Sequence, residues 1–156
     1  MKVLAIDPGF GRCGVAILEK NSGKEAYIYS DCVETSAKTP FEERLAAVAN
    51  EVERLIGLHS PDAVALERLF FNNNAKTAMQ VAEVRGAILH AAQRAGLPVR
   101  EYTPGEIKSA TTGHGKADKK QITQMIHLLL RIEKPIKRDD EYDAIAVGIT
   151  HLAQAR

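Results

Sequence analysis

The chain has 156 residues, 45% hydrophobic and 26% charged, with a formal net charge of +1 and a mean hydropathy of −0.20. That length fills one core and is short for two ordinary domains, so a single domain over residues 1–156 is expected. No apolar run approaches the roughly 20 residues that span a bilayer, and no internal repeat is present, which sets aside membrane-spanning and solenoid architectures.

Val3-Leu4-Ala5-Ile6-Asp7 is a continuous apolar run closed by an acid and then by Pro8-Gly9, as a buried strand bounded by a turn is. Because Met1-Lys2 leads straight into it, no cleavable signal peptide is expected, and the expected compartment is the cytoplasm. Extended segments at 15–19 and 26–33, joined by the polar turn Asn21-Ser22-Gly23, predict an antiparallel meander with the first strand. Cys13 and Cys32 read as small core hydrophobes in a reducing compartment, although such a hairpin brings them onto adjacent strands.

Over 41–58 the apolar residues Leu45, Val48, Val52, Leu55 and Ile56 recur at helical spacing, with Thr39 as the expected cap before Pro40. Residues 62–67 repeat the form of the first strand and end in Glu67. A helix over 75–95 follows, stopped by Gly96. Then come a short strand over Val99–Tyr102, a short helix over 104–109, a loop over 111–117, a helix over 119–131 and a last helix over 140–153. This order of elements predicts an α/β protein with a mixed five-stranded sheet and helices on both faces, the RNase H-like layout.

Four acids stand out in this layout. If the strands ending in Asp7 and Glu67 lie side by side and parallel, both carboxylates emerge at the carboxyl edge of one sheet, where open α/β folds place their ligands. Asp140 and Asp143, three residues apart, share one helix face. Taken singly, an acid after a strand is usually a turn residue, and an Asp pair opening a helix is usually a cap and dipole partner. Together, four converging like charges call for a cation, and hard oxygens favour Mg²⁺ or Mn²⁺.

The near-zero net charge hides a basic stretch. From Arg100 to Arg138 there are nine basic residues against four acidic ones. A basic region beside an acidic metal cluster suits a protein that grips a phosphate backbone and cuts it, although a charge run by itself is usually a solvated surface.

Gly9 to Gly14 formally match Gly-x-Gly-x-x-Gly after a strand, with Asp31 downstream. That fingerprint has to open a helix, whereas Val15-Ala16-Ile17-Leu18-Glu19 reads as a strand, so the glycines are assigned to a tight hairpin beside the metal site. Actin-like phosphate loops also combine Asp-x-Gly with a hairpin, but they need two such domains around a cleft.

Asp7-Pro8-Gly9-Phe10-Gly11-Arg12-Cys13-Gly14, Leu66-Glu67-Arg68-Leu69-Phe70, Gly113-His114-Gly115-Lys116-Ala117-Asp118-Lys119-Lys120-Gln121 and Asp140-Glu141-Tyr142-Asp143-Ala144, in that order, resemble the RuvC family of Holliday-junction resolvases. The resemblance implies a homodimeric, Mg²⁺-dependent endonuclease that cuts four-way junction DNA in recombination and repair, working with the RuvA–RuvB branch-migration motor. It implies Asp7, Glu67, Asp140 and Asp143 as catalytic and metal-holding acids. Lys108 and Lys119 match the family's phosphate-contacting lysines, Lys120 is a neighbour that can substitute, and Lys116 lies in the same basic loop. Phe70 matches the aromatic that stacks on unpaired bases, while Phe71 is as readily a hydrophobic staple for the next helix.

Two ions roughly 3.5–4 Å apart, bridged by Asp7, would activate a water and stabilise the leaving oxygen. Lys119 would neutralise charge developing on the phosphate. Two matched nicks need a two-fold pair of subunits, with the helix over 75–95 as the expected interface. Of the five histidines, only His114, in the basic loop, is expected near DNA. A nuclease of RNA–DNA hybrids and a non-catalytic junction binder are the competing readings. Groups that read a 2′-OH would mark the former, and binding indifferent to Asp7 the latter.

Overall fold

The opening apolar run is β1 (Lys2–Asp7), and it lies at the centre of the sheet. The computed structural model describes residues 1–68 and 75–155. β2 (Arg12–Asn21) and β3 (Lys24–Glu34) form the hairpin turned by Ser22 and Gly23, both at positive φ. β4 (Ala63–Glu67) and β5 (Val99–Tyr102) complete a mixed sheet in the order β3-β2-β1-β4-β5. β1 runs antiparallel to β2 and parallel to β4, and β4 parallel to β5.

Strand alternation divides the core in two. Leu4, Ile6, Val15, Ile17, Val64 and Leu66 face α1 (Phe41–His59) and α2 (Ala75–Arg94). Val3, Ala5, Ala16, Leu18 and Ala65 face α3 (Pro104–Thr112), α4 (Lys119–Leu129) and above all α5 (Asp139–Gln154). Each fully buried Val, Leu or Ile side chain stabilises the fold by about 1.5–3 kcal/mol relative to exposure. Helices on both faces of a mixed five-stranded sheet are the expected layout. No helix among the described residues is long and apolar enough to cross a membrane.

The element limits differ from expectation for local reasons. Thr39 does not cap α1: Pro40 holds that position without a side-chain bond, and its carbonyl takes the Arg44 N–H. β3 outruns its apolar segment because an edge strand needs only β2 for its ladder, so Lys24 and Glu25 pair there too. α3 runs on to Thr112, whose hydroxyl bonds back to Lys108 O, and it is stopped by Gly113 in the left-handed region. α4 ends sooner because Leu130 turns extended to reach the core. Cys13 lies opposite Val33 and Cys32 opposite Gly14, so an offset of one residue sends the two thiols to opposite faces of the sheet.

Candidate active site and metal centre

The register that builds the core also builds the site. Val3 pairs with Ala63 and Ile6 with Leu66 across β1 and β4, so Asp7 and Glu67 end neighbouring parallel strands. Alternation points both toward the α5 face, along with Ala5 and Ala65. On the other side of β1, Asp7 pairs with Gly14. A Cβ on Gly14 would fall onto the carbonyl oxygen of Asp140, so glycine at this point is what lets the first turn of α5 descend onto the sheet beside Asp7.

The four expected acids therefore converge. Burial raises the Asp7 carboxyl well above its ordinary value, and repulsion from Glu67, Asp143 and Asp140 raises it further. Glu67 is raised by burial and by Asp143, while a hydrogen bond with Asp7 opposes the shift, so these two carboxyls are close enough to share a proton. Asp143 is raised by burial and lowered by Lys119. Asp140 Oδ2 is buried and accepts no hydrogen bond, although Arg12 Nε stands 3.2 Å away.

Among the described residues, no three side chains come within the spacing of ligands on a single ion, so the acids must close in to bind one. The donors suit a hard divalent cation on two grounds. All four are carboxylates that repel one another, and one of their oxygens is buried without a hydrogen bond.

The basic residues fall into two sets. Lys119 Nζ lies 3.6 Å from both Asp139 and Asp143, and the charge of Lys108 on α3 lowers the Glu67 pKa. Lys116 and Lys120 are exposed on the loop and first turn leading into α4, and neither pairs with an acid among the described residues. The other set is occupied elsewhere. Lys134 pairs with the buried Glu141 at 2.6 Å, Arg138 with Glu34 and Arg131 with Glu133, so the local basic excess is smaller in space than along the chain. His114 is exposed in the basic loop. Phe70 and Phe71 lie outside the described residues.

Sequence reading missed Arg12 and Asp139. Arg12 sits inside the glycine-rich motif, and Asp139 adjoins Asp140, so both were visible as residues. Their partners were not, because each pairing joins parts of the fold distant in sequence or across two helices.

A model of the RuvC family, described as crossover junction endodeoxyribonuclease RuvC, matches residues 3–151. The chain belongs to the RuvC family. It is a crossover junction endodeoxyribonuclease, and the RuvC family is one of metal-dependent nucleases. A RuvC of Desulfitobacterium hafniense is 44% identical over 151 residues, covering 97% of this chain and 92% of that protein. One of Thermosipho melanesiensis is 42% identical over 148 residues, covering 95% and 94%. The structure of Thermus thermophilus RuvC in complex with a Holliday junction substrate superposes with a TM-score of 0.93 at 33% identity, covering 100% of this chain and 95% of that one. The yeast mitochondrial Holliday junction resolvase Ydc2 shares the fold, with a TM-score of 0.70 at 14% identity.

Proposed function

We propose that this RuvC-family chain resolves four-way DNA junctions by paired, symmetric hydrolysis of phosphodiester bonds in recombination and repair, with Asp7, Glu67, Asp140 and Asp143 as its catalytic acids. The observation that supports the assignment of the acids is that Asp7, buried at the end of β1 beside the end of β4, feels the charge of Glu67, Asp143 and Asp140 together. They would hold two divalent ions, Mg²⁺ with Mn²⁺ as a substitute, and Asp7, which feels the charge of all the others, is the acid proposed to serve both. Bound there, such ions supply Lewis acidity at the phosphate and an activated water.

The chain's own residues do the rest. Arg12 stands 3.2 Å from the Asp140 carboxylate and orients it, and the Gly14 contact fixes the height of α5 over the sheet. Lys119, tethered between Asp139 and Asp143, brings a cation to the edge of the acid cluster, where charge grows on the phosphate during cleavage. Lys108, Lys116 and Lys120 are proposed as DNA-backbone contacts, and Phe70 as the stacking aromatic. Residues 1–156 are read as one RNase H-like nuclease domain, since both core clusters share one sheet.

Paired nicks in strands related by a two-fold axis call for a homodimer. α2 is its proposed interface, with Met79 65% exposed on it. RuvA–RuvB and a cytoplasmic setting complete the reading.

The test is cleavage of a synthetic mobile four-way DNA junction, with Mg²⁺ or Mn²⁺, by wild type and Asp7→Asn, against linear duplex and RNA–DNA hybrid. Symmetric nicks confined to the junction, with binding but no cutting by Asp7→Asn, are expected. A cut hybrid and an intact junction would overturn the function, and undiminished cutting by Asp7→Asn would overturn the site.

A further inference from the structure

The loop that follows Asp7 is gripped by a side chain with no part in the scheme above. Arg44, half-buried near the start of α1, carries its guanidinium carbon 4.7 Å from the centre of the Phe10 ring. Its Nε donates to Thr35 Oγ1 at 2.9 Å. Phe10 meets Phe41 edge-on, with ring centroids 5.8 Å apart, so the surface beneath the guanidinium is itself held. Thr35 ties the arrangement to the loop, because its N–H donates to Gly11 O at 2.9 Å and its hydroxyl donates to Phe10 O. Gly11 carries no side chain, and the point where its Cβ would stand lies 3.4 Å from Nη2 of Arg44.

These contacts engage one of the five N–H donors of the guanidinium. Among the described residues no carboxylate pairs with Arg44, in contrast to Arg12 on the same loop, which is committed to Asp140. A half-buried cation without an anion, stacked on an aromatic face and anchored through Nε, presents its two terminal nitrogens as a rigid fork. That is the geometry that takes two oxygens of one phosphate.

We propose that Arg44 binds a backbone phosphate of the DNA strand that lies across the Asp7–Arg12 loop. It reaches the loop from the α1 face of the sheet, whereas Lys108 and Lys119 reach the acids from the α3–α4 face. The strand is thereby held from both sides of the cutting edge. This inference rests on the junction-nuclease reading and adds a contact to it.

The test measures affinity for a labelled four-way DNA junction from about 50 to 200 mM salt, in an Asp7→Asn background that binds without cutting. Arg44→Met keeps the reach over Phe10 and removes the charge. It is expected to weaken binding roughly tenfold or more per engaged subunit. It is also expected to shallow the slope of log K against log salt by about 0.9 per subunit. Arg44→Lys keeps the slope and loses part of the affinity. Thr35→Val loosens the anchor but leaves the charge, so its slope stays that of the parent.

Melting curves accompany each variant, and Arg44→Gln takes the place of Arg44→Met if the latter does not fold. Parental slope and affinity in Arg44→Met would overturn the inference alone. So would an equal loss of slope in Thr35→Val, since Arg44 would then act only by holding the loop. A parent protein that fails to bind the junction would overturn the function reading along with it.

Discussion

At the scale of single residues, the site depends on a hydrogen atom where any other amino acid has a carbon. Gly14→Ala would drive a methyl group into the Asp140 carbonyl and lift the first turn of α5 away from Asp7. A displacement of about 1 Å at reacting groups costs on the order of a hundredfold in rate. Gly14→Ala is therefore expected to lose cleavage by about that factor while still binding a junction, as kinetics alongside a binding titration would show. Lys119 acts by charge: it lowers the pKa of Asp143, which burial raises. Lys119→Met removes the opposing cation, so Asp143 holds its proton to higher pH. The acidic limb of the cleavage profile should move to more alkaline pH, measured as kcat/KM against pH, whereas Lys119→Arg should leave it in place.

At the scale of elements, the start of α5 is fastened to β3 by groups with no catalytic part. Glu141 is 4% exposed and accepts from Lys134 Nζ at 2.6 Å and Ser30 Oγ at 2.9 Å, while Lys134 also reaches Ser30 O. Lys134→Met leaves a buried carboxylate without its cation, a change that costs several kcal/mol in full burial. Because Lys134 is 39% exposed, about 2 kcal/mol is expected. That loss would lower Tm by roughly 4–8 °C in calorimetry.

The far end of α5 is tied to β5 by the 2.9 Å hydrogen bond between Tyr102 OH and His151 Nδ1. Burial holds the His151 pKa below its ordinary 6.5, so between the two values the unfolded chain binds more protons. His151 thus contributes full stability above about pH 6.5 and loses it on acidification. The raised acid cluster acts with the opposite sign, binding protons in the folded state. The difference in urea midpoint between wild type and His151→Gln, taken at about pH 7.5 and 5.5, isolates the histidine and should shrink at the lower pH.

None of these fastenings was legible in the sequence, because Ser30 with Glu141 and Tyr102 with His151 are contacts between distant segments. The strands ending in Asp7 and Glu67 were legible, since five-residue apolar runs closed by an acid and a turn have few other solutions. Thr39 misled because a proline can follow a cap directly, whereas here Pro40 itself stands at the helix boundary.

At the scale of the whole molecule, the four acids come from widely separated segments, with Asp7 on β1 and Asp143 on α5. Their convergence was legible through the expected layout and the family resemblance, since nothing local links Asp7 to Asp143. If two such sites act together, sedimentation should return about twice the 17.1 kDa of one chain, and an α2 variant such as Met79→Glu should shift it toward the single chain with loss of paired nicking. The span between the acids has a further consequence. While the protein is being made, Asp7 and Glu67 leave the ribosome long before α5 does, and the partial chain has a sheet but no complete set of carboxylates. With these four acids as the cutting site, DNA cleavage would be withheld from any copy that stops short of α5, and synthesis of that helix would serve as the safety catch.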